Sequence, residues 1–271
     1  MILQLIDTHA HVCFSAYDLD RDEVLARAFQ EGIKKLIHPC CNLEELNTLI
    51  ELAQKYQGDN CIKIFSAIGV HPTEFESWTE SATDFIETAL NNPDQKNFIK
   101  AIGEAGLDYY HVSSAEDQKK QQEIFIKQIL IAKKYNLPLI VHTRDAWEDT
   151  LRILQEHYPC NREANNGVLH CYTGDLEFAL QAIERGFYIS WSGVLTYKKN
   201  SHFREIAGKL DLERVLVETD CPFLAPQQFR GKRNEPSYVR HVAEVLAQCY
   251  ALSYEQIAEI STKNAERLFK I

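Results

Sequence analysis

The sequence predicts an α/β fold, a single (β/α)8 barrel of the TIM type spanning residues 1–271, on three observations. The chain has 271 residues, and such a barrel needs about 250. Short apolar runs alternate with amphipathic segments along its whole length, which implies a parallel sheet with helices outside it. The runs number eight, and no Gly-rich phosphate loop follows the first, as an open doubly wound sheet would usually have. The segment "DTHAHVCF" stands there instead.

The elements follow in order. "ILQLIDTH" is the first strand, and "RDEVLARAFQEG", with apolar residues at three- and four-residue spacing and Gly at its end, is the helix after it. "IKKLIHP" is the second strand and "LEELNTLIELAQKY" its helix. "CIKIFSAIGVHP" and "NFIKAIGEAGLD" are the third and fourth strands, and the long periodic stretch "DQKKQQEIFIKQILIAKKYN" ends in an Asn suited to a helix C-cap. "LPLIVHTR", "NGVLHCYTG", "GFYISWSG" and "ERVLVETDCP" complete the set. No internal repeat or Gly/Ser linker interrupts it.

Composition narrows the function class. Hydrophobic residues at 45% and charged residues at 25% are ordinary for a soluble globular domain. No apolar run approaches the ~18 residues of a membrane span, so no membrane partner is expected. The N-terminal stretch lacks the pattern of a signal peptide, so a cytoplasmic location is expected. Eight cysteines without a CxxC pair read as reduced thiols rather than a disulfide framework. A net charge of −10 argues against broad affinity for nucleic acid through a basic surface, but not against a nuclease whose positive charge is local or supplied by metal ions. A monomer is the default, since a chain this long buries its own core, and no obligate protein partner is evident.

The polar residues ending these runs carry the chemistry. His9 and His11 end the first run, His71 the third, Glu104 the fourth, His142 the fifth, His170 the sixth and Asp220 the eighth. In a barrel of parallel strands those ends meet at one rim, where such folds keep their active sites. In extended chain Asp7, His9 and His11 share a face. A lone histidine at a strand end is more often structural, and Glu104 or Asp220 could each cap a following helix. A metal site, however, accounts for His9, His11, Glu104, His142, His170 and Asp220 together. Four His with two carboxylates exceed a tetrahedral zinc site and suit two divalent cations sharing a carboxylate such as Glu104. Glu104 and Asp220 are then the candidate catalytic residues, with Asp220 able to take a proton from an attacking water. Histidine-rich ligation suits Zn, Mn, Fe, Co or Ni, whereas Mg usually keeps more oxygen ligands.

At these residues the chain resembles the TatD family of metal-dependent hydrolases, of the amidohydrolase-like barrel superfamily. "IDTHAH", "AIGVHP", "AIGEAGLDYY", "LPLIVHTRDAWEDT", "VLHCYTGD", "YISWSGVLTYK", "RVLVETDCPFLAP", "RGKRNEP" and "TKNAERLF" carry the resemblance along the full length. It implies a metal-dependent deoxyribonuclease, typically a 3′→5′ exonuclease. By position, His9, His11, Glu104 and Asp220 would hold the first metal, and Glu104, His142 and His170 the second. One departure is Cys13, where the family usually has Asp; strand parity puts it on the His11 face.

Further residues are weighed against simpler roles. Arg144 suits phosphate through its guanidinium fork, the alternative being a salt bridge to Asp145 or Glu148. Arg230, Lys232 and Arg233 form the strongest local positive cluster and could contact a single strand's backbone, or be a solvated loop. His71 is expected to position substrate. Tyr109, Tyr110 and His111 could stack on a base or pack against the rim. Cys171 and Cys221, each following a ligand, are expected to pack outward. His38 draws no functional reading. Single-stranded DNA or a frayed 3′ end is the expected substrate. Alternatives are an ester or amide hydrolase, including one acting on D-aminoacyl-tRNA, and a non-catalytic metal-dependent nucleic-acid binder. Barrels of the wider superfamily often bridge their metals with a modified lysine on the fourth strand, but Lys100 lies too early in it to reach the rim.

Overall fold

The computed structural model describes residues 4–271; Ile2 and Leu3 of the first apolar run lie outside them. All eight apolar runs form strands: β1 (Leu5–Asp7), β2 (Ile33–Pro39), β3 (Lys63–Ile68), β4 (Ile99–Asp108), β5 (Leu139–Arg144), β6 (Gly167–Leu169), β7 (Phe187–Trp191) and β8 (Val215–Val217). They pair in parallel in sequence order. The chain just beyond β1 and β8 closes the sheet. Thr8 N–H donates to Val217 O, Asp220 N–H to His9 O at 2.9 Å and His11 N–H to Cys221 O at 2.8 Å, with a parallel bridge between Ala10 and Cys221. The fold is a (β/α)8 TIM barrel.

Helices α1 (Arg21–Gln30), α2 (Leu46–Lys55), α3 (Ala82–Asn91), α4 (Ala115–Tyr135), α5 (Trp147–His157), α6 (Leu176–Ile183), α7 (Ser201–Ala207), α8 (Val239–Tyr250) and α9 (Tyr254–Phe269) surround it. Their ends follow the local chemistry. The Ser114 hydroxyl accepts from Asp117 N–H at the start of α4, and Asn136 ends that helix in the left-handed conformation at φ 52°. Ser253 and Gln256 form a capping box on α9.

Two apolar layers result from the two-residue period of the strands. The outer layer, between strands and helices, includes Leu5, Ile33, Leu36, Ile64, Leu139, Val141 and Val215. The inner layer takes one residue from every strand: Ile6, Ile37, Ala67, Ala101, Ile140, Val168, Tyr188 and Leu216. Ala265, Leu268 and Phe269 of α9 plug this interior from the N-terminal end of the barrel. Polar side chains therefore collect at the opposite end, where the strands finish.

One expectation about the first strand fails. β1 stops at Asp7, so the alternation of faces does not continue to His11. Asp7 does not join His9 and His11. Its Oδ1 accepts from Thr219 N–H at 2.9 Å and its Oδ2 from the Thr219 hydroxyl at 2.6 Å, tying β1 to the segment after β8. Among the described residues no helix is long and apolar enough to cross a membrane.

Candidate metal centre

The six strand-end residues read as ligands converge at the C-terminal rim, and Glu104 stands at their centre. Its Oε2 lies 3.2 Å from His9 Nε2 and 3.6 Å from His11 Nε2. Its Oε1 lies 2.9 Å from His142 Nδ1 and 2.8 Å from His170 Nε2. Asp220 Oδ1 faces the His9 and His11 side, at 3.8 and 3.6 Å from their Nε2 atoms. The carboxylate thus gives one oxygen to each half of the cluster. His9, Glu104 and His170, and His9, His11 and Asp220, form groups compact enough to hold a cation.

The electrostatics follow from burial and neighbours. Burial works against the charge of Glu104, yet His170, His71 and His9 hold its carboxyl well below the usual range. Burial pushes Asp220 up to about 6 against the pull of His9 and His170. Burial also works against charge on His170, but Glu104 and Glu218 outweigh it and raise the imidazole well above its ordinary value. His11 is lowered, by burial first and by His9 second. Buried carboxylates and imidazoles crowded in this way suit divalent cations, which would neutralise the acids and use the ring lone pairs.

The second nitrogens of His142 and His170 each face an acidic residue, which leaves the other ring nitrogen toward the centre. His142 Nε2 is 3.2 Å from Asp108 Oδ2, so its N–H donates there and Nδ1 carries the inward lone pair. Asp108 is 1% exposed and also accepts from His111 N–H at 2.8 Å. His170 Nδ1 lies 3.3 Å from Glu218 Oε1, leaving Nε2 inward. Asp108 and Glu218 are functional candidates that the strand-end reading missed. The usable signal was an extra acidic residue beside each ligand-bearing strand end, in "GLDYY" and "VETD".

His71 belongs to the cluster but presents a donor. Its Nδ1 accepts from Thr73 N–H at 3.1 Å, so in the neutral ring Nε2 bears the hydrogen. Burial lowers its pKa against the pull of Glu104. Nε2–H points at Glu104 Oε1, 3.4 Å away, and at the same space as His142. Although His71, Glu104 and His142 could by distance alone hold a cation, this tautomer favours a hydrogen bond to a negatively charged group.

The secondary candidates divide. Arg144 has no carboxylate partner among the described residues; its guanidinium lies over the Tyr110 ring at 3.9 Å. The salt bridges to Asp145 or Glu148 weighed as its alternative do not form. Arg230 lies over the Tyr197 ring at 4.7 Å. Arg233 does not extend a positive surface, because it pairs with Asp20 at 2.6 Å. The Tyr109 hydroxyl donates to Asp149 at 2.8 Å, whereas Tyr110 stands 60% exposed. Cys221 is buried in the outer layer as expected. Cys171 is not turned outward: it has left β6 with φ 43°, its N–H donates to Glu218 at 2.7 Å, and its Sγ lies 3.0 Å from Ser192 Oγ. Lys100 sits over Phe65 beside the inner apolar layer, far from the rim.

Comparison with known proteins agrees with this geometry. A family model described as TatD related DNase matches residues 6–270. The chain belongs to the TatD family of metal-dependent hydrolases. It is 40% identical over 267 residues to the uncharacterized metal-dependent hydrolase YabD of Bacillus subtilis, covering 98% of this chain and 99% of that one. It is 31% identical to the 3′-5′ ssDNA/RNA exonuclease TatD of Salmonella typhimurium, covering 98% and 99%. The crystal structure of YjjV, a TatD homologue from Escherichia coli, superposes with a TM-score of 0.89 at 30% identity over the whole of both chains. Within this TatD barrel, Cys13 does not sit on the His11 face. Its N–H donates to His38 Nε2 at 2.8 Å, it packs against the outer apolar layer, and burial pushes its thiol up to about 12.

Proposed function

We propose that this protein hydrolyses phosphodiester bonds of DNA from the 3′ end of single-stranded or frayed termini, using two divalent cations. His9, His11, Glu104 and Asp220 would hold one cation, and Glu104, His142 and His170 the other. The observation that carries the reading is the division of Glu104, whose Oε2 serves His9 and His11 while Oε1 serves His142 and His170. Such cations supply Lewis acidity toward phosphoryl oxygens and lower the pKa of water.

The chain's own groups supply the rest. Asp220, with its side chain 15% exposed against 4% for Glu104, is the accessible carboxylate of the set and takes the proton from the attacking water. His71 Nε2–H donates to the phosphoryl group as negative charge develops on it. Arg144 and Arg230, each steadied on a tyrosine ring, keep their N–H forks free for phosphate oxygens. The relative named as a 3′-5′ ssDNA/RNA exonuclease supports the polarity and the substrate.

The test is degradation of a 5′-labelled single-stranded DNA with Mg, Mn, Co or Zn, wild type beside Glu104→Ala and Asp220→Ala. A ladder shortening from the 3′ end, lost in both variants, is expected. Intact DNA with cations bound would overturn the phosphodiester reading and direct attention to tRNA esters and small amides.

A further inference from the structure

Among the described residues six large hydrophobic side chains are markedly exposed, and two of them, Tyr110 and Phe223, lie on loops next to the candidate metal centre. Phe223 is 54% exposed and lies on the turn just past Asp220, its N–H donating to Asp220 O at 3.0 Å. Its ring meets Phe14 edge-on, with centroids 6.0 Å apart. Phe14 in turn stacks on His11 at 4.8 Å with 25° between the planes. His11 Nε2 is 3.0 Å from His9 Nε2. An unbroken series of rings therefore leads from the metal centre to solvent. Among the described residues neither Phe14 nor Phe223 packs against the main apolar core. Phe223 is 54% exposed, so a large part of its ring is available to a partner.

Resting on the diesterase reading, we infer that Phe223, backed by Phe14, is a stacking shelf for the nucleobase next to the scissile phosphate. The occupant follows from the neighbours. A phosphate at the cluster fixes the start of the chain, and the flat partner carried beside each phosphate of a nucleic acid is its base. Phe223 offers a π-face and no hydrogen-bonding group, so it accepts any base. Arg144 on Tyr110 forms a second aromatic surface, on the His142 side of the cluster. A base inside a duplex has both faces covered by its neighbours, so the shelf favours an end whose bases are unpaired and unstacked.

The experiment compares a single-stranded DNA oligonucleotide with versions carrying one abasic residue at each of the last three 3′ positions in turn, cleaved by the cation-loaded protein. Wild type is expected to lose about tenfold in kcat/KM at one position only. Phe223→Ala and Phe223→Leu are expected to collapse that ratio toward one, the second because it keeps apolar bulk without a ring. Phe223→Tyr is expected to retain it. An abasic penalty that survives Phe223→Ala, or no penalty in wild type, overturns the shelf while leaving the diesterase intact. Failure of wild type to cleave the unmodified strand is a separate result, which removes the diesterase reading and the shelf with it.

Discussion

At the scale of single residues, similar side chains are expected to fail differently. Glu104→Ala removes the carboxylate that gives one oxygen to each half of the cluster, so it should cost about a thousandfold or more in turnover and release bound cation, read by metal analysis of the purified variant. His71→Ala should keep its cations, because Nε2 carries hydrogen rather than a lone pair. It should lose about 10- to 100-fold in kcat/KM; a fall in metal content would make His71 a ligand instead. Asp108→Asn should weaken cation affinity or activity by about 10- to 100-fold through His142 alone, as partners of ligating histidines do. An unchanged metal titration together with unchanged kinetics would refute that. The convergence of the six proposed ligands was legible in the sequence because each ends an apolar run. Asp108 and Glu218, which face the second nitrogens of His142 and His170, were not, each being an extra acidic residue beside a strand end that already carries a proposed ligand. Asp7 misled because strand parity holds only as long as the strand, and β1 ends there.

At the scale of elements, the register of β4 against β5 and the closure of β1 against β8 set the ligand positions. Gly106 pairs with His142 and has φ 147°, and a Cβ there would meet His142 O at 2.0 Å. Gly106→Ala should therefore cost about 3 kcal/mol or more and push His142 away from Glu104. The check is thermal unfolding alongside cation titration, and an unperturbed titration would show that β5 does not depend on this close approach. At the other seam, Asp7→Ala leaves the Thr219 hydroxyl and N–H without their acceptor. The loss should be about 2–4 kcal/mol, read as a fall in Tm of roughly 5–10 °C. Thr219→Val should cost less, since it keeps the backbone bond. The eight strands and the long helix α4 were readable from period and caps, whereas the seam was not. It forms between Thr8–His11 and Val217–Cys221, segments about 200 residues apart, and no local pattern announces such a contact.

At the scale of the whole molecule, charge bears on which nucleic acid the proposed diesterase would accept. A net charge of −10 repels a polyanion at long range. Among the described residues Arg144 and Arg230 pair with no carboxylate and are the proposed phosphate contacts, whereas Arg233 pairs with Asp20. Two phosphate contacts on a single strand imply a slope of log KM against log salt of about 1.4 in magnitude. A nuclease that tracked duplex over many phosphates would have a slope several times steeper. A blunt duplex should accordingly be cleaved about tenfold or more slowly than the same sequence with an unpaired 3′ tail, at about 0.15 M salt. Raising temperature enough to fray the blunt end should close the gap without changing the salt slope. If instead the blunt duplex is the better substrate and its slope is steep, positive potential must come mainly from the bound cations. The acidic surface would then play no part in substrate choice.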